Sequence, residues 1–148
     1  MNTQATDAAR PRPSEAIRQR IQSSDFLAAE RLAREALEHT GDDPAEQREL
    51  LYLQAVALRY LERPGDALAA IDRLLALDPA YGRAWQERGH VLRAAARNGE
   101  ARSSFEEALR RNPALPGSWR ALVTLYAEAD MEPFEAAARD QLTRLEAL

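Results

Sequence analysis

The sequence predicts an all-α protein built from helix pairs that repeat in register. Three observations carry that prediction. The 148-residue chain is 45% hydrophobic with only 6 Gly, and its long runs of Ala, Leu, Arg and Glu are strong helix formers, while β-branched residues are scarce. Prolines punctuate those runs. The octet DPAYGRAW at 78–85 returns as NPALPGSW at 112–119, so Pro79 and Pro113, and likewise Trp85 and Trp119, stand thirty-four residues apart. A period of that order marks stacked units, each too small to bury its own apolar face.

The elements follow in chain order. Residues 1–13, MNTQATDAARPRP, carry Asp7 and no apolar stretch; a disordered tail is expected there, and neither a signal peptide nor an anchor. SEAIRQRIQ predicts a short helix near 14–23. DFLAAERLAREAL predicts a second near 25–39, with Ala29, Ala33, Ala36 and Leu37 on its packing face. Asp42 and Asp43 precede Pro44 as a helix start, and Leu51, Ala55 and Leu58 share one stripe of a helix near 44–62. Ala67, Ile71 and Leu74 do the same near 64–77, and Pro79 ends the unit. Thirty-four residues on, Trp85, Gly89 and Leu92 define a helix near 82–96, Ala101, Phe105 and Ala108 another near 98–111, and Pro113 closes. A third copy opens at Trp119 with Leu122, Val123 and Tyr126, near 117–129. Its second helix is read as out of step: the best stripe is Ala138, Leu142 and Leu145, which implies about three extra turn residues and a helix near 134–147.

The segment Trp85-x2-Arg88-Gly89-x2-Leu92, Ala101-x3-Phe105, Pro113 resembles the tetratricopeptide repeat, W-x2-L-G-x2-Y, A-x3-F, P, with Arg88 in a usually apolar place. The resemblance is strongest over 48–115. It implies a right-handed superhelical stack of antiparallel helix pairs, about eight helices in all. The domain reading is a repeat domain over 14–148: a degenerate repeat at 14–44, repeats at 48–81 and 82–115, and a divergent last repeat at 116–148. Gly89 and Ala55 leave no bulk on the first helices, so the paired helices can approach closely.

Function is bounded next. Cysteine is absent, which removes disulfides, thiolate metal sites and thiol nucleophiles and leaves a reducing compartment unopposed. There is no Lys, hence no phosphate-loop GK pair; the six glycines form no G-x-G cluster; and His39 and His90 are too far apart for a helical metal pair. No enzyme, metal or cofactor is expected. A net charge of −4 argues against a general nucleic-acid surface. No apolar run approaches a bilayer span, so no membrane association is expected and the location expected is cytoplasmic.

By the repeat's register the first helix of each pair lines a concave groove. Its groove stripe comprises Glu49, Tyr52, Val56, Arg59 and Tyr60, then Arg83, Gln86, His90 and Arg93, then Arg120 and Thr124. Four arginines and a histidine face one acid, which predicts a non-catalytic interaction module holding an acidic peptide or protein segment. Packing is an equal reading for Tyr52 and Tyr60, a polar network for His90, and core filling for Trp85 and Trp119. Repeat domains that hold chaperone C-terminal carboxylates resemble one another in a Lys and Asn clamp. Here Val56 and His90 replace the asparagines and no Lys exists, which disfavours that function. The alternative is the N-terminal repeat segment of a larger enzyme, since FEEALRRNPALPGSWRALVTLY (105–126) resembles the repeat region of bacterial tetratricopeptide-containing sulfotransferases. Finally, Leu142, Leu145 and Leu148 recur every three residues, and either a second copy, as a homodimer through the C-terminal helix, or residues beyond this sequence are expected to cover them.

Overall fold

The computed structural model describes residues 12–148. The expected N-terminal tail lies outside them except for Arg12 and Pro13, the N-cap and first residue of the first helix. Eight helices follow among the described residues: α1 (Pro13–Gln22), α2 (Phe26–Leu37), α3 (Pro44–Tyr60), α4 (Pro64–Leu77), α5 (Gly82–Ala94), α6 (Asn98–Arg111), α7 (Pro116–Glu128) and α8 (Glu132–Glu146). They fall into two compact units, one ending at Ala70 and one spanning Ile71–Leu148, with α4 crossing the boundary.

In the first unit α1, α2 and α3 pack together around Ile17, Ala29, Ala33, Leu50, Leu53 and Ala57. The starts of α2 and α3 are capped by side chains. Asp25 accepts from the amide of Ala28, and Asp43 from the amide of Glu46 at 3.2 Å. Glu46 in turn reaches back to α1, where its two oxygens accept from the amide and the hydroxyl of Ser14 at 3.0 and 2.8 Å. A carboxylate placed on the positive end of a helix, shielded from water with its partner, fixes α1 against α3. Arg18 and Glu49 add an ion pair at 2.7 Å between the same helices.

In the second unit the glycine of the repeat pattern meets its reason. A Cβ on Gly89 would stand 2.7 to 2.8 Å from the ring of Phe105, which is fully buried on α6. Only a hydrogen there lets α5 and α6 close on the ring. Arg88, the departure from the pattern, is half-buried and donates through Nη1 to Ser104 Oγ at 2.6 Å, so a polar bond crosses the pair where an apolar contact is usual. Tyr126 on α7 is buried and donates to Glu106 Oε2 at 2.8 Å. Burial and that bond raise its phenol above the ordinary tyrosine range.

The turns repeat as closely as the helices. Within each pair the link passes through one left-handed residue: Ser24, Glu62, Ala96 and Asp130, with φ of 61°, 60°, 60° and 55°. The next amide bonds back across the turn every time, Asp25 to Arg20 O, Arg63 to Leu58 O, Arg97 to Leu92 O and Met131 to Tyr126 O, at 2.8 to 2.9 Å. These are Schellman closures, a place where glycine is usual and here is missing. Between pairs, Asp78 accepts from the amide of Ala80 and Asn112 from that of Ala114, and the indoles of Trp85 and Trp119 donate to the carbonyls of Pro79 and Pro113. Both tryptophans are half-buried rather than core, and each latches the turn that precedes its helix.

The last helix corrects the sequence reading. α8 begins at Glu132, thirty-four residues after Asn98 opens α6, so its turn holds no extra residues. The stripe misled because Glu135 and Arg139 occupy the places of Ala101 and Phe105, and they bond to each other at 2.8 Å. Ala138 is buried, and Leu142 and Leu145 are half-buried. The places that buried Ala101 and Phe105 fill on α6 are therefore polar on α8.

Candidate functional site

The residues of the groove stripe lie on three first helices, and each unit is described by itself. In the first unit α3 carries Tyr52, Arg59 and Tyr60. Tyr52 packs half-buried on the α1–α3 core, and the stripe's Val56 is buried. Tyr60 is 52% exposed, yet its ring is engaged: Phe26 of α2 stacks on it at 4.4 Å and 6°, and the guanidinium of Arg59 sits 4.5 Å from its centroid. What remains for a ligand is its hydroxyl, a polar handle on an occupied ring. The one acid of the stripe, Glu49, is engaged by Arg18.

In the second unit α5 carries Arg83, Gln86, His90 and Arg93, and α7 carries Arg120 and Thr124. Gln86 Oε1 accepts from the fully buried Ser118 Oγ at 2.7 Å, which ties α7's first turn to α5. His90 meets the ring of Phe105 edge-on at 5.0 Å. Arg83 is exposed and donates to the hydroxyl of Tyr81 at 3.3 Å. Arg120 is paired with Glu146 of α8 at 3.1 Å, both well exposed, and so is partly neutralised. Thr124 is half-buried on the same helix. Arg93 is half-buried and has no carboxylate partner among the described residues.

The structure thus divides the stripe by role. Gln86, Tyr52 and Val56 serve packing and helix junctions, whereas Arg59, Tyr60, Arg83 and Arg93 present polar groups at the surface. Sequence reasoning missed Phe26 and Glu146. Both act across helices, at separations no periodicity signals. Among the described residues no group of three His, Cys, Asp or Glu is placed to hold a metal ion, and no helix is long and apolar enough to cross a membrane.

No family model matches the chain, and no curated protein matches it. Solved structures do. The Thermus thermophilus protein TTC0263, described as a thermophilic tetratricopeptide-repeat protein, superposes with a TM-score of 0.77 at 23% identity, over 91% of this chain and 73% of that one. The first repeat domain of Spaghetti (RPAP3), bound to the HSP90 peptide SRMEEVD, gives 0.69 at 18% identity over 80% and 90%. YrrB, described as a repeat protein with an unusual peptide-binding site, gives 0.68 at 19% over 89% and 66%. At these identities the likeness is one of fold.

Proposed function

We propose that this chain, which has the fold of the tetratricopeptide-repeat proteins, is a non-catalytic, cytoplasmic interaction module that binds an acidic peptide or protein segment through the first helices of its repeats. The proposed module comprises residues 14–148, with repeats at 48–81 and 82–115 between a degenerate and a divergent one. The observation that carries the reading is Arg93. This half-buried residue has no carboxylate partner among the described residues, and a planar five-donor guanidinium is suited to take one. Arg59 holds the equivalent place thirty-four residues earlier.

The comparisons support the class of ligand. The first RPAP3 domain holds SRMEEVD and the second the HSP70 peptide SGPTIEEVD, both acidic. This chain meets acids with arginine alone, and it has Val56 and His90 where the chaperone clamp has asparagines, so the ligand proposed is an acidic segment other than a chaperone tail. The likeness of 105–126 to sulfotransferase repeat regions falls wholly on α6, a turn and α7, and so adds nothing beyond the fold. Self-association through Leu142 and Leu145 of α8 belongs to the same proposal.

A pull-down with the isolated chain, read by mass spectrometry, identifies partners. Binding of an acidic segment so identified is then measured for Arg83→Glu together with Arg93→Glu. Each charge-assisted contact is worth about 1.5 to 3 kcal/mol, so the pair should lose well over tenfold in affinity with folding hardly changed. A double variant that binds as wild type overturns the reading.

A further inference from the structure

A concavity that shares no lining residue with the groove stripe lies wholly within the first unit. It is a cavity of about 720 Å³ between α1, α2 and the segment leading into α3. Its floor is aliphatic: Ala16 and Ile17 from α1, Leu32 and Ala36 from α2. Its rim is acidic, with Glu35 and Glu38 at the end of α2 and Asp43 at the start of α3. Glu46 also lines it, but both its oxygens are used by Ser14. Against these carboxylates stand one guanidinium, Arg12, and the imidazole of His39. Glu35 is only loosely held by Arg31, at 4.0 Å with both side chains more than half exposed.

An apolar floor under an excess of rim carboxylates selects one ligand chemistry. An arginine or lysine side chain lays its aliphatic stem on apolar surface and keeps its cationic head at the edge. An acidic side chain would meet repulsion at the rim, and a purely aliphatic one would leave the carboxylates unused. We propose that this cavity is a second docking site, which receives a basic side chain flanked by an aliphatic residue from a partner segment. The stem lies on Ile17, Leu32 and Ala36, and the head pairs with Glu35 and Glu38. The site is opposite in charge to the arginines of α3 and α5, and does not depend on their role. A volume of this size is in the range of pockets that hold compact ligands.

The test is a titration of the ¹⁵N-labelled full chain with acetyl-Leu-Arg-Leu-amide, with acetyl-Leu-Glu-Leu-amide as control, followed by NMR. Saturable shifts at the amides of Ala16, Leu32 and Ala36 are expected with the arginine peptide only. Glu35→Arg combined with Glu38→Arg changes two exposed side chains and should weaken that binding by well over tenfold, since both proposed charge-assisted contacts are lost. Ala16→Leu, which narrows the cavity without altering charge, should weaken it as well. Equal shifts with the two peptides, no saturable shift at millimolar peptide, or unchanged affinity in both variants would each overturn the proposal. So would binding seen only after residues 1–11 are removed, which would make this chain's own segment the occupant.

Discussion

The indole Nε1 of Trp119 donates to the carbonyl oxygen of Pro113 at 2.8 Å. Thirty-four residues earlier Trp85 does the same to Pro79 at 3.1 Å. That pair of bonds accounts for the octets DPAYGRAW and NPALPGSW. The Asp or Asn folds the chain back onto the amide two residues on, the proline stops the preceding helix, and the tryptophan ties the new helix to the turn it left. Trp85→Phe and Trp119→Phe keep most of the apolar body and lose the donor. Each should cost about 0.5 to 1.5 kcal/mol, read from the urea midpoint. Midpoints unchanged in both variants would show that the latch is incidental.

Gly89 offers a sharper test of packing. Its missing Cβ is the space into which the Phe105 ring fits, and the ring is fully buried. Gly89→Ala should destabilise by about 1 to 3 kcal/mol and Gly89→Leu by more, since overpacking must move a ring or a helix. Phe105→Leu in the Gly89→Ala background should return part of the loss relative to the sum of the single changes, a coupling that a double-mutant cycle measures. Strict additivity would place the clash elsewhere.

How much of this is legible in the sequence depends on which residues speak. Helix starts at Pro44 and Pro64 are plain, because proline fits the first turn and breaks whatever precedes it. Helix ends are less so: α3 and α5 stop at Tyr60 and Ala94, two residues before the expected ends, because Glu62 and Ala96 take the left-handed conformation without the glycine that usually announces it. α8 is misplaced by periodicity because Arg139 stands where the pattern seeks a phenylalanine. Within the candidate site the stripe's helices and residues can be named from the thirty-four-residue register. The partners that neutralise or stack on them, Glu146 on Arg120 and Phe26 on Tyr60, come from other helices and leave no trace in periodicity.

Those same turns predict stabilisation. A left-handed non-glycine residue costs roughly 1 to 2 kcal/mol, while glycine costs about 0.5 to 1 kcal/mol in added unfolded-state freedom. Ala96 is exposed, so the methyl group that glycine gives up contributes little burial. Ala96→Gly should therefore raise stability by about 0.5 to 1 kcal/mol, as should Glu62→Gly at the equivalent turn. Thermal midpoints measured on both variants decide it: a fall in both would mean that the Schellman turns are not strained by their residues.

The last helix described makes the last prediction. On α8 the polar pair Glu135 and Arg139 stands where Ala101 and Phe105 of α6 are buried. Beside that polar face, however, Leu142 and Leu145 stay half-exposed, Phe134 is 56% exposed, and Leu148 lies fully in solvent just past the helix. Apolar side chains grouped on one helix favour burial by a second copy, and a two-fold contact would let α8 meet α8, each covering the other's leucines. Sedimentation at rising concentration should then show a dimer for the wild-type chain, and a monomer for Leu145→Glu, whose charge at the centre of the contact cannot be buried unpaired. Circular dichroism of the variant checks that α8 still forms. Equal sedimentation of the two proteins as monomers throughout would show that the leucines are covered well enough within the chain.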